Sequence, residues 1–417
     1  MARFICRHFL AAYVLLIAVP TCLCAPQETD CERAASGVTV TELGERRHFS
    51  ESFPDYRNSD VIQAEAETKY LRVLVRVSNP RVCADWLLTV RDKNYRIVQT
   101  MTRDDFGAGF RWTNRIYGDR ATFELTRCKG STGPGVIFEE YTAMPNKAKN
   151  TYYSALDPSH PRYTDLYPDN LTTVPSEDRH LGDSVGFLMS SWTDGIDAYT
   201  WSCSGVLVAP DLFLTNWHCG GPRMIGQNEQ KKAFPQENYW QPAIVNNTII
   251  DLSWDGDDLS REYICTEKLE ANQELDFALL RILALNSLGP AVPATIKLAP
   301  ITQSTSIRIV HHPLGKPKQI TYTGCGVVNA EHSSWTSDKK TDFTHNCDTE
   351  GGSSGAPVFN QAGQLIGLHH LGYDFDPATC KRKDSVNKAV RMDKIIEFLK
   401  KQPNSAADRF QFVSTER

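Results

Sequence analysis

From Thr68 onward the chain is written in short apolar runs cut by turn residues, and this punctuation restricts the fold more than any other feature. Tyr70-Leu71-Arg72-Val73-Leu74-Val75, Trp86-Leu87-Leu88-Thr89-Val90 and Ala121-Thr122-Phe123-Glu124-Leu125 are separated by Asn, Asp and Gly, the pattern of strands joined by turns. Strands with turn signals resume from Val185 to about Leu371, and only Val390, Ile395, Ile396 and Leu399 then fall at helical spacing. The prediction is an all-β chain closed by one C-terminal helix.

A change of texture divides it. Residues 141–180 carry Pro145, Pro158, Pro161, Pro168 and Pro175 among Asp, Asn and Tyr, which reads as a linker. It separates an N-terminal β-sandwich over residues 25–140 from a second β domain over 181–402, followed by a polar tail over 403–417. Cys83 and Cys128 lie just outside two runs of the first domain, placed to staple it. No catalytic constellation occurs there, so the sandwich is read as an accessory domain.

The compartment is set by the first residues. Arg3 and Arg7 precede an apolar run from Phe9 to Val19, and Cys22-Leu23-Cys24 leads to Ala25. That is a secretory signal over residues 1–24, too short to span a membrane. Three of the twelve cysteines (Cys6, Cys22, Cys24) fall inside it, leaving nine. In an oxidising compartment most pair, and an odd count leaves one thiol free or bridged to another molecule. Asn170-Leu171-Thr172 and Asn246-Asn247-Thr248 are candidate glycosylation acceptors in such a chain. With 45 Lys and Arg against 50 Asp and Glu, and no basic stripe interleaved with aromatics, neither nucleic acid nor an anionic membrane is an expected partner.

Three segments carry chemistry. Cys203-Ser204-Gly205-Val206-Leu207-Val208 reads as a strand, Ala209-Pro210-Asp211 as a turn, and Leu212 to Cys219 as a strand ending in His218. A Cys203–Cys219 bridge would cross-link the ends of that hairpin and fix the imidazole. Further on, Asp276 heads the apolar strand Phe277-Ala278-Leu279-Leu280-Arg281-Ile282. An ionised carboxylate in that setting needs a partner. The third segment is Asp348-Thr349-Glu350-Gly351-Gly352-Ser353-Ser354-Gly355-Ala356-Pro357. Glycines on both sides let the backbone turn tightly, expose the Ser354 hydroxyl and aim the Gly352 and Ser354 N–H groups at a developing oxyanion.

In order and local pattern these segments resemble the trypsin-like serine peptidases, whose general base directly precedes a cysteine, whose acid heads an Asp-x-x-Leu-Leu strand and whose nucleophile lies in Gly-x-Ser-Gly-x-Pro. The resemblance implies a chymotrypsin-like double β-barrel and a triad of His218, Asp276 and Ser354, with an oxyanion hole from Gly352 and Ser354. It implies protein or peptide substrates and no metal or cofactor. Asp251, Asp255, Asp257 and Asp258 do not follow calcium-loop spacing. The α/β-hydrolase pattern fails on chain order, since its serine comes first and its histidine last.

Through Thr215-Asn216-Trp217-His218-Cys219, His311-His312-Pro313-Leu314-Gly315 and the Ser354 loop, residues 180–402 are similar to the secreted lysyl and glutamyl endopeptidases of bacterial type. Animal digestive enzymes carry an aspartate where this chain has Ser353, to pair with a newly cut N-terminus, so activation by that ion pair is not expected. Specificity has two readings. Asp384, some thirty residues after Ser354, and Asp348, six before it, match acidic positions that bind a basic side chain. Thr349 and His369, the latter in Gly367-Leu368-His369-His370, match positions that hold a substrate carboxylate, and His370 is grouped with them as a candidate substrate contact. The balance of the sequence favours cleavage after a basic residue.

Cys325 and Cys347 flank the segment leading into the Ser354 loop and are expected to pair. Cys31, Cys265 and Cys380 cannot all pair among themselves. Two other classes stay in play: a catalytically silent binding protein on a peptidase fold, and an adhesion protein whose sandwich does the work.

Overall fold

The computed structural model describes residues 45–412 except 54–57, 67, 84, 107–108, 129–132, 146–161, 168–172, 194–197, 223, 226–231, 256–260, 286–290, 298–300, 335 and 373–386. The expected signal segment, Cys31, Asn170, Cys380 and Asp384 lie outside the described residues.

Two antiparallel sheets make the N-terminal region. One runs Glu45–Ser52, Val136–Pro145, Thr68–Val77, Phe110–Trp112, with Ile116–Tyr117 also paired to Thr68–Val77; the other runs Ser59–Gln63, Arg120–Thr126, Leu87–Arg91, Ile97–Met101. Residues two apart share a face of a strand, so Leu71, Val73 and Val75 enter one core together with Trp86, Leu88, Val90 and Phe123. Cys83 and Cys128 are bonded at its edge. Tyr70, Arg72 and Leu74 point the other way, yet they are buried too. Their cover is the second domain: Tyr70, Leu74, Phe110 and Trp112 pack against Phe187, Met189, Ile249 and Trp254.

The proline-rich stretch is partly built into that second domain. Tyr163–Asp165 adds an edge strand to Gln319–Thr321. Leu166 and Val174 are fully buried, and Ser176–Leu181 forms a short helix entered through Pro175.

Next comes a closed six-stranded barrel in the order Val185–Thr193, Ala198–Ala209, Leu212–Thr215, Phe277–Ala284, Glu262–Asn272, Thr248–Asp251, the last returning to the first. Closure leaves no unpaired edge. The second unit is an eight-stranded sheet: Tyr163–Asp165, Gln319–Thr321, Ile307–His311, Pro357–Asn360, Leu365–Leu371, Asn387–Arg391, Asp342–His345, Val327–His332. A Ser306–Gly326 bridge and the Ile307 N–H to Cys325 C=O bond draw its two flanks together. The architecture is all-β and chymotrypsin-like, one closed barrel and a half-barrel with few helices.

Val185, Leu212, Leu214, Phe277 and Leu279 of the barrel share a core with Val310, Phe359, Leu368 and the C-terminal helix Met392–Lys400. Each such side chain contributes about 1.5–3 kcal/mol when fully buried, so the two units are held as one body. Val390, which the spacing placed on the helix, instead lies within the strand Asn387–Arg391; its apolar side chain fits either period. Within the stretch read as a polar tail, Ala407 and Phe410 are buried, and Ile296 donates to Gln411. No helix among the described residues is long and apolar enough to cross a membrane.

Candidate active site

His218 begins a single 3-10 turn after the strand Leu212–Thr215 and is 2% exposed. Several bonds fix that turn. Cys219 is bonded to Cys203, Trp201 Nε1 donates to the Cys219 carbonyl at 2.8 Å, and Trp240 Nε1 donates to the Trp217 carbonyl at 2.9 Å. Asn216 reaches across to donate to the Asp276 carbonyl at 2.7 Å, so the histidine turn and the acid move together.

Asp276 is fully buried and held at φ 44°, in the left-handed region that a non-glycine residue occupies at a cost of about 1 kcal/mol. The conformation aims both carboxylate oxygens at the neighbouring turn. Oδ1 accepts the His218 backbone N–H at 2.9 Å and Oδ2 lies 2.7 Å from His218 Nδ1. A second imidazole meets the same carboxylate: His370 Nδ1 is 3.2 Å from Asp276 Oδ2, and His370 Nε2 is 3.0 Å from Asp342 Oδ2. Burial alone would raise the Asp276 carboxyl, but the charge and hydrogen bond of His218, with those of His370, hold it well below the usual carboxylate range. For His370 burial works downward, yet Asp342 and then Asp276 outweigh it and push the ring up to about 9. It is an imidazolium clamped between two carboxylates.

The Ser354 loop is tied to this assembly from several sides. Ser204 N–H donates to the Ser354 carbonyl at 2.7 Å, and Ser204 Oγ donates to the Gly352 carbonyl at 2.8 Å. Gly352 and Gly355 adopt φ of 91° and 83°. A Cβ at Gly355 would collide with the Ser204 carbonyl oxygen and stand 2.5 Å from Thr215 Oγ1, so glycine is required there on two counts. The amides of Ser353, Gly355 and Ala356 donate to the carbonyls of Glu350, His369 and Ser353. Ser354 itself is partly exposed.

Ser353 is fully buried, and its partners explain why no carboxylate stands there. Its Oγ accepts the Glu350 N–H at 3.1 Å and lies 2.8 Å from His311 Nδ1, while His311 Nε2 is 3.2 Å from Thr321 Oγ1. Thr321 donates onward to the Asp348 carbonyl at 2.8 Å. Burial, then Lys316 and His345, lower the His311 ring to about 3. A neutral ring satisfies every partner in one direction: Ser353 O–H donates to Nδ1, Nε2–H donates to Thr321, and Thr321 donates to the carbonyl.

The residues read as specificity determinants part company. Asp348 is fully buried and gripped by Arg162, whose backbone N–H and Nη2 donate to its two oxygens at 2.9 and 3.0 Å. Its charge is therefore already matched. His369 follows the Ser354 loop through its backbone, exchanging bonds of 2.8 Å with Gly355 and Ala356. Its ring meets His345 Nε2 at 3.2 Å, and burial, with the neighbouring histidines, lowers it well below the ordinary value. Thr349 is buried beside Asp348. His370, grouped with the substrate contacts by sequence, instead lies behind Asp276.

Cys325 and Cys347 are bonded ahead of the loop, and Cys265 is a buried thiol that burial pushes up to about 12. Cys203, His218 and Cys219 cluster closely, but the two sulfurs are bonded to each other and are not thiolate ligands. Asn246 is exposed at the end of the short helix Pro242–Val245.

Sequence reasoning missed Arg162, Ser204, His311 as a loop brace, and Asp342. The only available signal was the density of histidines near the three motifs.

Residues 203–368 match the family described as trypsin-like peptidase domain. A glutamyl endopeptidase of Staphylococcus epidermidis is 27% identical over 233 residues, covering 51% of this chain and 70% of that protein. One from Staphylococcus aureus strain MW2 is 28% identical over 184 residues, covering 42% and 47%. The crystal structure of an M. tuberculosis protease in its active form is similar over 58% of this chain and 93% of that one, at 15% identity and a TM-score of 0.37.

Proposed function

Since the chain carries a trypsin-like serine peptidase domain, we propose that it is a secreted endopeptidase in which Ser354 is the nucleophile, His218 the general base and Asp276 the acid that orients it. The observation that carries this reading is the two-point grip of Asp276 on His218, at 2.9 Å to the backbone and 2.7 Å to the ring. With Nδ1–H committed to Asp276, Nε2 is the nitrogen left to receive a proton. Ser354, stitched to the same hairpin through Ser204, gives its hydroxyl proton to His218 Nε2 as Oγ bonds to the substrate carbonyl carbon. The oxyanion forms against the Gly352 and Ser354 N–H groups. His218 then passes the proton to the leaving nitrogen, the C–N bond breaks, and water repeats the sequence on the acyl-enzyme.

For specificity, the structural observation weighs against a basic residue before the scissile bond. Asp348 already spends its charge on Arg162, and the basic reading then rests on Asp384 alone. We favour cleavage after an acidic residue, with Thr349 and His369 as the contacts; the similarity to staphylococcal glutamyl endopeptidases supports it. The test is a fluorophosphonate probe with mapping of the modified residue, then cleavage of a peptide library. Modification at Ser354 and products ending in Glu are expected. Labelling elsewhere would remove the mechanism, and products ending in Lys or Arg would reverse the specificity while leaving the mechanism intact.

A further inference from the structure

The sandwich and the first barrel meet through charges that no solvent reaches. Arg72 pairs with Glu262 and stands 3.7 Å from Asp251; Arg115 stands 3.5 Å from Asp251 and donates to Ser253 Oγ at 2.9 Å. These charges are matched across the seam, and separating the two surfaces would also return the apolar cluster around Leu74, Trp112, Phe187 and Trp254 to water, which is unfavourable. Trp112 of the sandwich also donates from Nε1 to Ser191 of the barrel. The sandwich is thus fixed on the barrel as one rigid body.

Trp254 is fully buried in this junction and faces two ways. Its ring meets Tyr70 of the sandwich edge-on at 4.4 Å, with the Arg115 guanidinium 5.1 Å above that tyrosine. On the other side its Nε1 donates to the Gly315 carbonyl at 2.9 Å. Gly315 ends the turn His312-Pro313-Leu314-Gly315, in which Leu314 and Gly315 take φ of 55° and 68°. From that turn the Leu314 N–H donates to the Gly351 carbonyl at 2.6 Å, and the His312 N–H donates at 2.9 Å to Ser204 Oγ, which in turn donates to the Gly352 carbonyl.

The Gly351 carbonyl and the Gly352 N–H belong to one planar trans peptide and point in opposite directions. Whatever holds that carbonyl therefore aims that N–H. We propose that Trp254 is a positioning residue through which the N-terminal sandwich holds the Gly351–Gly352 peptide in its oxyanion-binding orientation. The sandwich thereby serves as a retained internal activator, in a chain whose Ser353 cannot form an ion pair with a cut N-terminus. This inference rests on the assignment of Ser354 as nucleophile.

The test compares Trp254→Phe, which keeps an aromatic ring against Tyr70 and removes the donor, with Leu74→Ala, which opens a cavity in the same interface away from the turn. Melting temperature, kcat, KM and the rate of Ser354 phosphonylation are measured well below the melting point. Removing an oxyanion donor outright costs about 10²–10³ in kcat. Trp254→Phe, which only frees the peptide to rotate, is expected to lower kcat and phosphonylation together by about tenfold, with KM within about twofold. Leu74→Ala is expected to lower the melting temperature and leave kcat unchanged. If Trp254→Phe does not fold, Tyr70→Leu probes the same support from the sandwich side, with the same expected loss in kcat. A Trp254→Phe or Tyr70→Leu enzyme that melts earlier but turns over normally overturns the inference. Absence of Ser354 labelling in the unaltered protein would instead remove the nucleophile assignment and this inference with it.

Discussion

His218 and His370 share one carboxylate oxygen: each ring places Nδ1 on Asp276 Oδ2, at 2.7 and 3.2 Å. The acid of the proposed triad thus works between two imidazoles. The rear one carries a charge, because Asp342 accepts from its other nitrogen. A fixed positive charge behind Asp276 keeps that carboxylate ionised. His370→Asn removes that charge and one of the two imidazole bonds on the carboxylate, so kcat/KM at neutral pH is expected to fall by about tenfold while the protein stays folded. An unchanged kcat/KM would show that the rear imidazole is structural only.

The same ring makes stability depend on pH, and the sign is fixed by the direction of its shift. The folded-state value, about 9, lies above the unfolded value of about 6.5. The stabilisation is complete below about 6.5 and is lost as pH rises through about 9, to a total on the order of 3 kcal/mol. Urea titrations at intervals between those limits will show falling stability in the unaltered protein. In His370→Asn the slope is reduced and stability near neutrality is lower, since Asp276 and Asp342 face each other without a cation between them.

Ser353→Ala and Gly355→Ala separate loop support from loop geometry. The first removes a hydroxyl that satisfies both the Glu350 N–H and His311 Nδ1, leaving a buried donor and a buried acceptor unmet for about 1–3 kcal/mol. The second forces a Cβ into the Ser204 carbonyl at a φ of 83°. Thermal unfolding should rank both below the unaltered protein. Fluorophosphonate labelling should persist in Ser353→Ala and fall sharply in Gly355→Ala. Loss of labelling in Ser353→Ala that tracks no loss of folded protein would move the nucleophile assignment to Ser353.

What the sequence reveals here is what neighbours in the chain decide. Cys203 and Cys219 are separated by only 16 positions, and the glycine-framed serine is a local pattern, so both are readable from spacing. His370 and Arg162 are not, because their partners Asp276 and Asp348 lie 94 and 186 residues away. The docking of the sandwich left a faint trace. A strand with one face in water would be polar at 70, 72 and 74, whereas this one has Tyr70 and Leu74 around Arg72, and all three are covered by the barrel. The reason for a buried Arg72 is not local, because its partner Glu262 lies 190 positions on.

Arg162 offers the sharpest test of specificity. It comes from the proline-rich stretch, makes three bonds to Asp348 and also caps the Asn346 and Gly324 carbonyls at 2.5 and 3.0 Å. Arg162→Ala strips the cation from a fully buried carboxylate, which then either takes a proton or seeks another positive partner. The protein should melt earlier, with the loss moderated because the arginine side chain is 30% exposed. Cleavage of a peptide library should shift from products ending in Glu towards products ending in Lys or Arg, since a substrate cation is the partner that the released carboxylate lacks. If the profile stays acidic while the melting temperature falls, Asp348 is a structural ion pair outside the pocket, and the acidic preference belongs to the Thr349 and His369 side alone.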